Sequence, residues 1–307
     1  MQKMKDKDYF ALEALSASGS KTLLQSPKQY RWSKDQPQKS NANLLLGKVV
    51  HALVLEPGEV DGLVALLPDA PDLSHLTDAK GQPYSKPEAS TQGKALLAPW
   101  KAVCAEVEAQ AVADGIEALT GAQWASVKAE AQVLATALLD STPPFADMPL
   151  RDLLAFGSQV EQAILWADKK TGASCKCKVD AVILALGESL AYCVDLKTTS
   201  EPPVYHAIES AAFKWGYHRQ AVHYLDGLAS EGLVGAEFWF AFVQKDAPHE
   251  VMWMRAGDRF LAYGAAEMDK AKRIYAECVA LDHWPSAQQQ GLLPTVLEAP
   301  KWAKVGE

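Results

Sequence analysis

The sequence predicts an α/β (α+β) fold, with a mixed central sheet flanked by helices and a helical half added at the N-terminus. Three observations carry this. Helix-period patterns, interrupted by one long loop, occupy the chain up to about Leu139. Strand-like runs begin only at Gln159. From there the order is three strands, a helix, two strands and a helix, which a sheet with helices packed against it accommodates.

Taken in order, Ser18 and Ser20 are positioned to cap a first helix running to about Lys34, broken or restarted at Pro27. A second helix spans Asn43 to Leu55 and stops at Glu56-Pro57-Gly58. The stretch to about Gln92, rich in Pro, Asp, Ser and Gly, reads as a long loop. Alanine-rich helices follow at Gly93 to Asp114 and Thr120 to Leu139, and Pro143, Pro144 and Pro149 close this half. The strands Gln159 to Trp166, Ser174 to Leu184 and Leu190 to Lys197 are separated by turns at Lys170-Thr171-Gly172 and Gly187-Glu188, as antiparallel neighbours require. One long helix is expected from Val204 to Glu231, then strands at Ala236 to Lys245 and Glu250 to Arg255, then a helix from Asp258 to about Leu281. The chain is thus expected to be a single domain of residues 1–307, comprising N-terminal helices (1–57), a loop and helical insertion (58–150) and a core (151–307).

Composition narrows the class. At 49% hydrophobic and 22% charged residues the chain is an ordinary globular one. Its longest apolar runs are too short to cross a bilayer and its N-terminus lacks a signal-peptide core, so it reads as soluble and cytoplasmic, with no membrane partner. Five cysteines without a secretory signal argue against a disulfide framework. The net charge of −8 is unusual for a protein that binds nucleic acid, but basic residues cluster locally. Six lie between Lys21 and Lys48, and Lys169, Lys170, Lys176 and Lys178 lead into Asp180.

The chemistry concentrates in Cys175-Lys-Cys-Lys-Val-Asp180 and Val194-Asp195-Leu196-Lys197. Alternation along a strand puts Asp195 and Lys197 on one face, and a hairpin would bring Asp180 to Asp195. Two converging carboxylates repel unless a hard cation such as Mg²⁺ lies between them. A cation there can polarise a phosphoryl oxygen, and Lys197 can position or deprotonate water or stabilise an anionic transition state. A lone D-x-K is most often a surface ion pair, but this one lies in an apolar run where unpaired charge is costly. Ser26, Lys28 and Arg31, near a helix start, suit a phosphate, and Lys178 is a further DNA-binding candidate. Cys175 and Cys177 share the strand face opposite Asp180 and read as core residues, so no iron-sulfur cluster is expected.

D-x(14)-D-x-K on consecutive strands resembles the PD-(D/E)xK nuclease signature, with Val179 in place of proline. Around it, ILWADKKTGASCKCKVD, VDLKTT, GYHRQAVHYLDG, PKWAK, LSASGSKTLLQSPKQYRW and LGKVVHALVLEP resemble segments of the RecE-like (exodeoxyribonuclease VIII) family. The resemblance implies a restriction-endonuclease-like core and a Mg²⁺-dependent exodeoxyribonuclease, with Mn²⁺ able to substitute. Such an enzyme degrades linear double-stranded DNA 5′ to 3′, leaving 3′ single strands for a RecT-like annealing recombinase. It implies His51 as a metal ligand beside Asp180, Asp195 and the Leu196 backbone carbonyl, and Glu161 as a further catalytic acid. Gln220 and Tyr224, four apart on one helix face, match its Q-x-x-x-Y element and are implied to contact DNA or the catalytic lysine. Together with the charge conflict, it implies a ring-like homo-oligomer, a tetramer, with the N-terminal basic residues lining its channel. Two other readings keep the fold: a non-catalytic DNA- or protein-binding module, and a single-strand or structure-specific repair nuclease.

Overall fold

The polypeptide begins with a two-residue strand, β1 (Gln2–Lys3), and a short helix, α1 (Asp6–Ala11), in a computed structural model that describes residues 1–36, 41–184 and 190–300. Helix α2 (Ala17–Gln25) is capped by Ser16, whose hydroxyl accepts from the Gly19 amide at 3.1 Å. Ser18 and Ser20 are not the cap; Ser20 lies buried inside the helix and donates to the Ala17 carbonyl. Pro27 restarts the chain as α3 (Pro27–Lys34), where a missing N–H costs nothing at the first helical position, and Ser26 caps it. Helix α4 (Ala42–Leu55) is capped by Asn41.

The predicted loop carries more structure than its composition suggests. It holds 3₁₀ turns at Pro57–Leu63 and Pro87–Ala89 and a strand, β2 (Val64–Leu66). After α5 (Thr91–Asp114), strand β3 (Glu117–Leu119) pairs in parallel with β2. Helix α6 (Gly121–Asp140) starts at a capping box of Thr120 and Gln123. A short helix, α7 (Leu150–Ala155), lies just beyond the prolines.

The main sheet is built from β4 (Gln159–Ala167), β5 (Ser174–Leu184), β6 (Ala191–Thr199), β7 (Glu237–Gln244) and β8 (Val251–Arg255), with β1 on its edge, in the order β1-β4-β5-β6-β7-β8. β4, β5 and β6 are antiparallel neighbours as expected, β6 and β7 are parallel, and β8 returns antiparallel. The predicted turn at Gly187-Glu188 and the terminal PKWAK, beyond its first residue, lie outside the described residues. The long helix expected between β6 and β7 is two helices, α8 (Tyr205–Trp215) and α9 (Tyr217–Ser230). Gly216 separates them at φ +80°, a left-handed conformation that a helix cannot contain and that glycine adopts without strain. Helix α10 (Asp258–Leu281) completes the fold.

Apolar residues from both sheet faces form separate cores. Val194, Leu196, Ala181 and Val243 pack against Val49, Val50 and Val54 of α4 and Leu134 and Leu138 of α6. Cys177, Val179, Cys193 and Phe238 pack on the other side against Ile208 of α8 and Ala221 and Leu228 of α9. A third cluster joins Leu15, Leu23 and Tyr30 to Met268 and Tyr275 of α10. All five cysteines are free and buried. Among the described residues no helix is long and apolar enough to cross a membrane.

His223 of α9 sits where these cores meet, and its protonation is linked to folding. Its Nε2 faces the carbonyls of Lys176 at 3.1 Å and Leu15 at 3.2 Å, so the neutral ring must donate from Nε2, while Nδ1 is buried without a partner. Burial, reinforced by Lys272, pushes its pKa down to about 4. Between pH 6.5 and 4 the unfolded chain therefore binds a proton that the native protein excludes, and stability falls as pH drops through that window, by up to about 3 kcal/mol. His223→Gln, which keeps a donor near the Nε2 position, is expected to flatten this slope relative to wild type. Urea unfolding at pH 7 and pH 5 measures the difference; equal slopes for the two proteins would refute the linkage.

Candidate active site

The site is made where β5 and β6 part. Their ladder runs from Leu184 opposite Ala191 to Ala181 opposite Val194, so Asp180 and Asp195 follow as the next opposed pair. The Leu196 N–H, which points to the β5 side, is bonded by the Asp180 carboxylate at 2.8 Å in place of a strand carbonyl. The Leu196 carbonyl accepts from His51 Nε2 at 2.8 Å, and α4 thereby reaches the fork. With Nε2–H committed to that carbonyl, His51 Nδ1 faces Asp180 Oδ2, 3.4 Å away. Two acceptors that close to each other repel unless a proton or a cation lies between them.

Glu161 arrives by a distortion of β4. Its φ of +52° is left-handed for a non-glycine residue and strains the backbone opposite Asp180. The register is the same on both sides of it, Gln162 opposite Val179 and Val160 opposite Ala181, so no residue is inserted. Yet Ile164, Cys177 and Val179 face the α9 core whereas Val160, Ala181 and Ile183 face the α4 core. Both strands exchange faces at the Glu161–Asp180 position, where strict alternation would have carried the same face straight through. Lys178 bridges Glu161 at 2.7 Å and Asp6 at 2.8 Å. Although burial works against its charge, these two carboxylates outweigh it and raise the Lys178 pKa. The lysine read from sequence as a DNA contact is therefore engaged in holding Glu161.

One ligand atom each from His51, Glu161 and Asp180 lies within 4.8 Å of the others. Asp195, 1% exposed, takes a different position from the one expected for a direct partner of Asp180. Its Oδ2 accepts from Lys197 and its Oδ1 from Gln220 of α9. The shared face of Asp195 and Lys197 is thus realised as an ion pair. Lys197 Nζ also stands 5.1 Å from the ring of Tyr217. Burial lowers the Lys197 pKa, but Asp195 and Asp180 more than offset it, and the net shift is upward. Burial, with Asp195 and Glu161 adding repulsion against the opposing charges of His51 and Lys197, raises Asp180 to about 7.

The other predicted residues are placed differently. Tyr224 points into the α9 core, edge-on to Phe238, with its pKa raised by burial and then by Asp195. Ser26 is occupied as a helix cap, and Arg31 pairs with Glu13 at 3.6 Å and Asp35 at 3.9 Å. Lys28 is exposed on α3. Among the described residues, no ion pair or hydrogen bond joins these three to the acidic cluster. Tyr217 was missed by the motif reading, although its position one helical turn before Gln220 was a signal that could have found it.

The donor set fits a divalent cation: carboxylates, a backbone carbonyl and one imidazole nitrogen converge, and burial penalises the carboxylate charge that a cation would neutralise. A mixed sheet forked at an acidic pair, with a lysine two residues on, defines the PD-(D/E)xK superfamily. The chain belongs to a family within it, the PDDEXK-like domain of unknown function (DUF3799), which matches residues 126–290, just over half of the 307 residues. Its fold is similar to the crystal structure of a candidate exonuclease from Eubacterium rectale, with a TM-score of 0.53 at 14% identity over 98% of this chain and 96% of that one. The solved structure of SSO0001 overlaps 37% of this chain and 50% of its own, at 12% identity and a TM-score of 0.24, too low to support an argument. No curated protein matches the chain.

Proposed function

We propose that the chain is a divalent-metal-dependent exodeoxyribonuclease of the RecE-like kind, degrading linear double-stranded DNA 5′ to 3′ and leaving 3′ single strands for annealing. The observation that carries this reading is the meeting, at one strand fork, of the His51, Glu161 and Asp180 cluster with the Asp195–Lys197 pair. His51, Glu161, Asp180 and the Leu196 carbonyl would hold Mg²⁺ or Mn²⁺, with Asp195 alongside. A bound cation would supply charge to polarise a phosphoryl oxygen and to acidify water. Lys197, anchored through Asp195, keeps two further N–H donors for a phosphate whose charge grows in the transition state. Gln220 fixes the rotamer of Asp195, and the Tyr217 ring faces the Lys197 ammonium.

In this reading residues 1–307 form one nuclease domain, and five buried thiols suit a reducing cytoplasm. A ring-like homo-oligomer, a tetramer, would reconcile the net charge of −8 with a polyanionic substrate by turning Lys28 and Arg31 toward a shared channel. A RecT-like recombinase would take the product strand.

Duplexes labelled at either end test the polarity. With Mg²⁺ or Mn²⁺ the 5′ label is expected to leave first, closed circular DNA to persist, and chelator to stop the reaction. Loss of the 3′ label first would overturn the 5′ to 3′ polarity, and cutting of closed circles would overturn the exonuclease assignment.

A further inference from the structure

Two lysines from different parts of the chain converge on one exposed indole. Trp215 ends α8 and is 55% exposed. Lys214 Nζ lies 5.3 Å from its ring centre and Lys21 Nζ, reaching across from α2, lies 5.1 Å from it. Lys21 is held there by a 3.1 Å hydrogen bond to the Lys214 carbonyl. Cation–π attraction accounts for each contact singly. It does not remove the repulsion of two ammonium groups gathered around one ring at the surface, which an anion between them would relieve. An exposed aromatic ring attended by such charges suits nucleic acid, because the ammonium groups can move from the ring to phosphates as a base stacks on it.

The location relates this patch to the acidic fork. Gly216 turns the chain directly after Trp215, and Tyr217, whose ring lies beside Lys197, is only two residues on. Two peptide units span at most about 7.6 Å between Cα atoms.

We propose that Trp215, Lys21 and Lys214 form a platform for single-stranded nucleic acid next to the active site. One base stacks on the indole and the adjoining phosphates meet the two ammonium groups. The inference rests on the nuclease reading for its purpose, because a strand leaving the scissile position has to be held apart from its complement. Its binding chemistry stands independently of cleavage. A stacked base separates this platform from a merely basic surface, which would hold duplex and single strand alike.

The test is fluorescence anisotropy of a labelled fifteen-nucleotide oligothymidylate in chelator, so that binding is read without cleavage. Trp215→Ala is expected to weaken binding by about five- to a hundredfold, whereas Trp215→Phe retains most of it. Lys214→Gln is expected to lower the salt dependence by about 0.7 in log–log slope. Because Trp215 is exposed, unchanged melting temperatures verify folding. Equal affinity of wild type and Trp215→Ala, or no single-strand binding by wild type, overturns the platform and leaves the ring to a protein partner. Loss of binding in Trp215→Ala from a wild-type protein that cleaves no DNA with Mg²⁺ or Mn²⁺ would sustain the platform and refute the nuclease reading instead.

Discussion

Lys197→Ala and Asp195→Asn are each expected to lower the rate of DNA hydrolysis about a hundredfold or more while the protein stays folded. Removing a charge that acts mainly on the transition state typically costs a few kcal/mol in activation energy. The two residues form one ion pair, so the double variant should be scarcely worse than either single one. Folding should survive Asp195→Asn because a carboxamide can still accept from Gln220 Nε2. Single-turnover digestion of an end-labelled duplex measures the effect, and circular dichroism verifies the fold. Digestion near the wild-type rate by either variant would sink the assignment of this pair to the chemistry.

Asp180→Asn is expected to separate stability from cation binding. The asparagine oxygen can accept from the Leu196 N–H, and its amide can donate to Nδ1 of a neutral His51. A buried acid raised to about 7 is replaced by a neutral group that satisfies both neighbours, so the melting temperature at neutral pH should hold or rise. Affinity for Mn²⁺ should fall at least about tenfold, the loss usual when even an outer partner of a metal site is removed. Binding to duplex DNA in chelator should change little. Calorimetric titration decides it: an unchanged Mn²⁺ affinity would remove Asp180 from the cation site.

Much of this could be read from the chain because local rules govern it. Helix starts at Pro27 and Thr120 follow from a proline and a capping box, and β5 emerged at its predicted limits, Ser174 to Leu184. Asp195 and Lys197 share a face because strand side chains alternate, and the spacing from Asp180 fits a hairpin. Other features lacked a local signal. Gly216 sits in an otherwise continuous helical pattern, and a single glycine costs a helix too little to announce a break. β1 and α7 are too short for a periodicity to register.

The sequence by itself determined the succession of β4 to β8 with helices between and after them, the mixed sheet and the identity of the acidic and basic residues, since composition and period depend only on neighbours along the chain. Tertiary structure alone decided which of them meet. His51 reaches Asp180 across 129 positions of the 307-residue sequence because α4 packs on the sheet. Lys178 is engaged by Glu161 and Asp6, and Asp195 by Lys197 and Gln220. The exchange of faces at Glu161 is held by packing on both sides of the sheet, because a left-handed glutamate costs about 1–3 kcal/mol that only surrounding contacts can offset. Long-range pairing energies of this kind leave no period in the sequence, so they could be read only from the folded chain.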